Sequence, residues 1–169
     1  MENNNNQQIH NHLFMPPTDE ELITEYLAKK INNQPISNAH NIMINEVNLY
    51  EHHPQDLAVN YPNLGGNGSY FFTPRNRKYP KGCRPNREVG DVGFWKATGA
   101  EEAITLMNGE TIGSKRYLVF YTGKPRPEVA IKTDWIMDEY LLNMPSKSPN
   151  SKDTRLDDCV LCRIYQEPE

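Results

Sequence analysis

The dipeptide Asn108-Gly109 sits between two apolar segments in AITLMNGETIG, residues 103–113. Such a pair supplies the backbone reversal that a tight hairpin needs, and flanking apolar residues make it the strongest short-range hairpin cue. The hairpin lies within a longer series of aromatic and β-branched pieces: YFFT at 70–73, FWKAT at 94–98, KRYLVFYT at 115–122, TDWIMDEYLL at 133–142 and CVLCRIY at 159–165. TDWIMDEYLL also suits a helix by composition. Strands joined by short turns, with one or two helices ahead of them, give an α+β fold: a twisted antiparallel β-sheet flanked by a few helices.

The first helix announces itself at PPTDEELITEYLAKKI. Thr18 is a good N-cap, Glu21 three residues later completes a capping box, and Asp19 and Glu20 suit the positive end of the helix dipole. Leu22, Ile23, Tyr26 and Leu27 then share one face, so a helix is expected over about 19–30. Farther on, IMINEV at 42–47 reads as a strand, PQDLA at 54–58 as a short helical turn, and YPNLGGNGS at 61–69 as a loop. GGNG lacks the Gly-Lys-Ser/Thr ending of a phosphate-binding loop. Residues 145–157 read as a polar surface loop before the last strand.

A chain of 169 residues suits one domain with a real core. Residues 1–12, MENNNNQQIHNH, read as a disordered polar tail, without the basic and apolar regions of a secretory signal, and residues 13–169 as the single domain. No apolar run approaches the roughly 20 residues that span a bilayer. With 13 prolines and a mean hydropathy of −0.78, a soluble, loop-rich globular domain is expected. Three cysteines, an odd count, point to a reducing compartment such as cytosol or nucleus.

Charge is unevenly placed. Residues 61–132 carry twelve cations against six acids, whereas 1–60 carry two against eight and 133–169 four against eight. A basic middle in a chain of pI about 5.8 is the electrostatic footprint of a polyanion binder. It is densest in RNRKYPKGCRPNR at 75–87, which has six cations and no acid. The strand GFWKATG follows closely. Alternation places Trp95 with Ala97 on one side and Phe94, Lys96 and Thr98 on the other. An aromatic ring, a cation and a hydroxyl facing outward suit a DNA groove, and Arg84 and Arg87, presented beside them, suit phosphate or guanine. Interleaved aromatics at 70–72 and 79 also suit single-stranded nucleic acid or simply a core.

Catalytic and metal readings find little to rest on. Cys159 and Cys162 form a CxxC, but their odd separation along a strand sends the thiols to opposite faces, and Cys162 reads as core. His52 and His53 stand in a turn and His10 and His12 in the tail. There is no HExxH, GxSxG or Cys/His signature. No enzyme activity, catalytic residue, metal or cofactor is expected.

The motifs together resemble the DNA-binding domain of the plant NAC transcription factors. The resemblance runs through PTDEEL at 17–22, YFFTPRNRKYPKGCRPNR at 70–87, GFWKATG at 93–99, KRYLVFYTGKP at 115–125, KTDWIMDEY at 132–140 and VLCRIY at 160–165, in family order. It implies a twisted antiparallel sheet flanked by helices, a WKATG strand edge in the major groove, a nuclear location, and dimerisation through the N-terminal segment, here Leu13, Phe14, Met15 and Glu21. Carried over by position, base and phosphate contacts fall on Lys78, Arg84, Arg87, Phe94, Lys96 and Thr98, with DNA-backbone support from Lys115, Arg116, Lys124 and Lys132. The partners implied are double-stranded DNA and a second NAC chain, as homodimer or heterodimer, with no membrane.

This chain departs from the family pattern at definite positions. Phe94 replaces the usual Tyr, and Gln55 and Ser69 stand where the family has tryptophans. Phe14 replaces the arginine that pairs across the family's dimer interface, which leaves Glu21 without that partner. Ala100, Glu101 and Glu102 replace a lysine-containing stretch and put anions near the strand edge. Glu88, Asp91 and one extra residue before Gly93 alter the approach to Arg87. Two functions follow as expectations: sequence-specific duplex binding in transcription regulation or, motivated by the acids and the short chain, a dimerisation module with weakened DNA binding that modulates full-length relatives.

Overall fold

A computed structural model of the chain describes residues 15–37, 39–63, 66–76, 86–126, 128–143 and 155–168, with the side chains at 75–76 and 155–158 left out. Residues 77–85 of the basic loop at 75–87, the tail at 1–12 and residues 145–154 of the polar loop therefore lie outside the described residues, and 155–157, read as loop, belong to the last strand.

Seven strands form one sheet: β1 (Ile44–Glu46), β2 (Ser69–Asn76), β3 (Glu88–Val89), β4 (Gly93–Thr105), β5 (Thr111–Thr122), β6 (Ile131–Leu142) and β7 (Arg155–Gln166). Their order is β1-β2-β7-β6-β5-β4-β3. The β1–β2 pair is parallel and the other pairs are antiparallel. That parallel pair departs from an all-antiparallel reading. Two parallel strands need a crossover rather than a hairpin, and a 3₁₀ turn (Leu49–Glu51) and helix α2 (Pro54–Asn60) supply it. TDWIMDEYLL is strand throughout.

The expected hairpin joins β4 to β5, but by a three-residue turn. Gly109 alone takes a positive φ, 90°. Its N–H donates to the Leu106 carbonyl at 2.9 Å, and the Leu106 N–H donates to the Glu110 carbonyl at 2.8 Å. Asn108 acts through its side chain, whose Oδ1 accepts the Glu110 N–H at 2.9 Å.

Both faces of the sheet are covered, which is why its central strands are apolar on both sides. On one face the 3₁₀ turn and α2 place Leu49 and Leu57 against Phe71, Trp95, Leu118, Phe120, Met137 and Cys162. On the other, helix α1 places Leu22, Ile23, Tyr26 and Leu27 against Tyr70, Phe72, Ile104, Tyr140 and Leu161, with Cys159 beside them. The two thiols thus lie on opposite faces. Helix α1 runs as Asp19–Glu21 (α), Leu22–Leu27 (π) and Ala28–Ile31 (α). In the widened turn the Ala28 N–H bonds the Ile23 carbonyl, and the four apolar residues form one broad buried stripe. The helix comes close to β5 at Gly113, where a Cβ would stand 2.9 Å from Ile23 Cδ1 and meet the Leu141 carbonyl.

Polar bonds fasten α1 to the sheet. Tyr140 donates its hydroxyl to Asp19 at 2.7 Å, and Lys115 reaches both Asp19 (3.4 Å) and fully buried Asp138 (3.9 Å). Arg163 donates to Asp138 through Nε and Nη2 at 3.2 and 2.9 Å. Burial first, then the bond to Asp19, pushes the Tyr140 hydroxyl up, so it remains a donor at any physiological pH.

The capping box forms as expected: Thr18 Oγ1 accepts the Glu21 N–H at 3.2 Å, and the Glu21 carboxylate accepts the Thr18 N–H at 3.1 Å. Thr18→Ala should lower stability by about 1 kcal/mol, a drop of roughly 2 to 4 °C in thermal midpoint. The Thr18 N–H, working against partial burial, holds the Glu21 carboxyl below its ordinary value of 4.5. This contribution is therefore complete above pH 4.5 and lost as pH falls through the lower folded value. Glu21→Gln should be less sensitive to acid than the parent in that window; equal acid sensitivity would remove Glu21 from the account.

Candidate nucleic-acid interface

Strand β4 is anchored by Trp95, only 2% exposed and packed against Phe120 at a centroid distance of 5.1 Å. With Trp95 in the core, alternation turns Phe94, Lys96 and Thr98 to the other face. In register across β5 they meet Tyr121, Val119 and Tyr117. Phe94 stacks on Tyr121, with centroids 5.4 Å apart and planes 12° apart, and the exposed Lys96 holds its ammonium 5.7 Å from the Tyr121 ring centre. Tyr121 in turn pairs with exposed Lys132 on β6. Phe94, Lys96, Tyr121 and Lys132 thus form one shelf across three strands, since residues paired in register share a face. Tyr121 was not singled out in the sequence; its alternation with Val119 and Tyr117 in KRYLVFYT was the available signal.

The shelf ends at an open edge. Strand β3 covers β4 only at Phe94 and Gly93, with one further bond from the Trp95 N–H to the Arg87 carbonyl at 2.9 Å. Among the described residues no strand pairs with the outer edge of β4 beyond that point. At the shelf's other end, Gly123 donates its N–H to the Val92 carbonyl at 3.0 Å, and Lys124 and Arg126 follow, both exposed.

Three cations expected at DNA have partners inside the protein. Arg87 donates through Nη1 and Nη2 to the two oxygens of Glu139 at 2.9 and 3.1 Å. Its side chain is 11% exposed and that of Glu139 0%. Glu139 lies on the Leu118–Met137 face, opposite the shelf. Burial alone would pull the guanidinium down; Glu139 outweighs it and holds the group up, fully charged. Lys115 is tied to Asp19 and Asp138, and Arg116 donates to Glu101 at 3.0 Å. Lys96, Lys124 and Lys132 remain exposed, Thr98 is half-buried, and Lys78 and Arg84 lie outside the described residues.

The two acids expected at the edge are turned away from it. A register shift between Thr98 and Glu102 carries the chain through Gly99, whose φ is 69°. Beyond it Glu101 accepts from Ser114 (2.6 Å) and Arg116, and Glu102 accepts from Tyr117 (3.3 Å) and faces Lys115 in register. Both carboxylates are engaged by β5.

Of the expected dimer residues, Leu13 and Phe14 lie outside the described residues and Met15 is 58% exposed. Glu21 is not left without a partner: Thr18 and the His40 imidazole both engage it within the chain. Among the described residues no helix is long and apolar enough to cross a membrane.

Residues 12–142 match the family model described as "No apical meristem (NAM) protein". The chain is 46% identical over 155 residues to NAC domain-containing protein 68 of Oryza sativa subsp. japonica, covering 89% of this chain and 46% of that protein. It is 45% identical over 177 residues to NAC transcription factor 47 of Arabidopsis thaliana (89% and 47%), and 49% identical over 154 residues to NAC domain-containing protein 1 of Solanum lycopersicum (89% and 51%). It spans about half the length of these relatives.

The Arg87–Glu139 pair makes its own prediction. Glu139→Ala leaves a guanidinium desolvated without its carboxylate and should cost about 3 to 5 kcal/mol in urea unfolding. Removing Arg87 as well should recover part of that loss. A loss below about 1 kcal/mol for Glu139→Ala would mean that the pair does not hold the segment.

Proposed function

The chain belongs to the NAC family, and from that premise we propose that it binds double-stranded DNA sequence-specifically in transcription regulation, in the nucleus. The observation that carries the reading is the shelf of Phe94, Lys96, Tyr121 and Lys132 beside an open strand edge. A two-stranded β-ribbon is narrow enough for a major groove. In this reading the outer edge of β4 enters the groove, Lys96 reaches a guanine edge or a phosphate, and Phe94 offers its ring to a thymine methyl or sugar. Thr98 serves as a hydroxyl contact at the far end. Lys124 and Lys132, with Lys78 and Arg84 of the preceding loop, neutralise phosphates. Arg87, Lys115 and Arg116 act at one remove, by holding β3, α1 and the edge of β4 in place. The same arrangement favours duplex binding over the interaction-module alternative, because Glu101 and Glu102 are engaged by β5 rather than standing at the edge.

Random-site selection followed by titration at several salt concentrations tests the reading. With about six phosphates neutralised, log affinity should fall against log salt with a slope near −5. If Lys96 contacts phosphate, Lys96→Ala should reduce that slope by about 1 and weaken all sequences alike; if it reads a base, it should relax one position and cost roughly 1 to 3 kcal/mol. Selection that enriches no site, or a Lys96→Ala protein that binds as the parent does, would overturn the proposal. Sedimentation of the same samples counts subunits.

A further inference from the structure

A second cluster of chemically capable side chains lies away from the shelf, where α1 meets the connection to β1. Glu21 and Glu25 stand one turn apart on α1, at the start and within the widened turn. His40 comes to them from the connection. Its Nε2 contacts the Glu21 carboxylate; its Nδ1 lies 3.8 Å from a Glu25 oxygen and 3.0 Å from the Tyr26 hydroxyl. One ligand atom from each of Glu21, Glu25 and His40 lies within 4.8 Å of the other two. The imidazole is 16% exposed and the two carboxylates 32% and 42%, so the ring is held in place and solvent reaches the acids.

We propose that Glu21, Glu25 and His40 form a site for a divalent transition-metal ion, with Zn²⁺ the best match. The donor set decides the class. One imidazole nitrogen and two carboxylate oxygens are ordinary zinc ligands, and three protein ligands with a water in the fourth position make an open tetrahedral site. Ca²⁺ asks for six to eight oxygens and Mg²⁺ for an octahedral oxygen shell, neither of which a lone imidazole suits. Charge points the same way: two carboxylates converge on one imidazole, and a divalent cation would balance both. Tetrahedral ligands about 2 Å from zinc stand roughly 3.4 Å apart, so the Glu21 carboxylate, in direct contact with Nε2, draws back to admit the ion while a rotamer change brings the half-exposed Glu25 round from Nδ1.

The surroundings fit metallation through Nε2. Nδ1 then carries its proton toward the Tyr26 hydroxyl, the kind of outer partner that fixes a ligating histidine's tautomer and ring angle. Tyr26 is 1% exposed and anchored in the α1 core, so its hydroxyl is a fixed reference point. A bound ion would tie the connection between α1 and β1 to the helix at His40, and the chain would be stabilised by mass action.

Calorimetric titration of ZnCl₂ into metal-free protein, with thermal midpoints recorded alongside, tests this independently of any DNA. The parent should bind Zn²⁺ and gain several degrees at about a hundredfold excess over Kd. Glu25→Gln should weaken binding tenfold or more, and His40→Ala should abolish it at this site, while His10→Ala/His12→Ala in the tail keeps it. Co²⁺ should give visible bands without a thiolate charge-transfer band. Glu25→Gln, on the exposed side, keeps the test decisive if His40→Ala fails to fold. No zinc-dependent shift in the parent, a shift undiminished in Glu25→Gln, or a thiolate band with Co²⁺ would overturn the site.

Discussion

Burial of Trp95 fixes which way β4 presents Phe94, Lys96 and Thr98. An indole 2% exposed in a two-sided core cannot turn outward without opening that core. Because a strand has period two, sealing one residue inside directs both neighbours to the opposite face. The aromatic stack on Tyr121 then sets the position of Phe94, and Lys96 lies over the same ring. At Gly93, a Cβ would collide with the Tyr121 carbonyl and the Phe120 ring, so the entry to the strand admits only glycine. The shelf of Phe94, Lys96, Tyr121 and Lys132 is thus a consequence of how the core is packed behind it.

Charge in the basic middle of the chain divides into two populations with different physics. Arg87 is nearly buried, and its bidentate pair with Glu139 spans 52 residues of sequence. Such a pair contributes little net stability against an apolar substitute, yet breaking it is costly, so it acts as a locator. It joins the segment entering β3 to the central strand β6. Lys115 does the same for α1 through Asp19 and Asp138. Lys96, Lys124, Arg126 and Lys132 are exposed to solvent. A count of cations along the sequence cannot separate these groups, because the separation depends on which acids the fold brings to them.

Local features were legible in the sequence for this reason, and long-range ones were not. The capping box at Thr18 and Glu21 involves neighbours three residues apart, and it formed as read. The long strands from 70 onward, apart from β6 whose segment also suits a helix and the two-residue β3 that carries no signal, follow from period and turn chemistry, as do the turn at Gly109, the two sides of β4 and the opposed thiols of Cys159 and Cys162. The parallel seat of β1 beside β2 depends on a crossover whose direction no local pattern encodes. The partners of Arg87, Lys115 and Glu21 are set by register and by a loop histidine. The widened turn in α1 answers to packing against the sheet and Gly113, which propensity does not see. Glu101 and Glu102 looked like anions at the edge because the bulge after Thr98, which turns them onto β5, is invisible until the register is known.

That bulge also sets the length of regular strand left uncovered at the outer edge of β4. From Lys96 to Thr98 the chain advances two residues, about 7 Å at strand rise, which fits within the roughly 12 Å width of a major groove. Through Trp95 the edge is covered by β3 and the Arg87 carbonyl, and after Thr98 the left-handed Gly99 breaks the pairing and the following carboxylates turn to Ser114, Arg116 and Tyr117. Were the ladder to continue unbroken, alternation would put Glu102 in line with Lys96 and Glu101 on the Trp95 face. Ending the regular strand at Thr98 therefore keeps the uncovered edge short and, in the proposed reading, keeps the Glu102 carboxylate, held by Tyr117, out of line with Lys96.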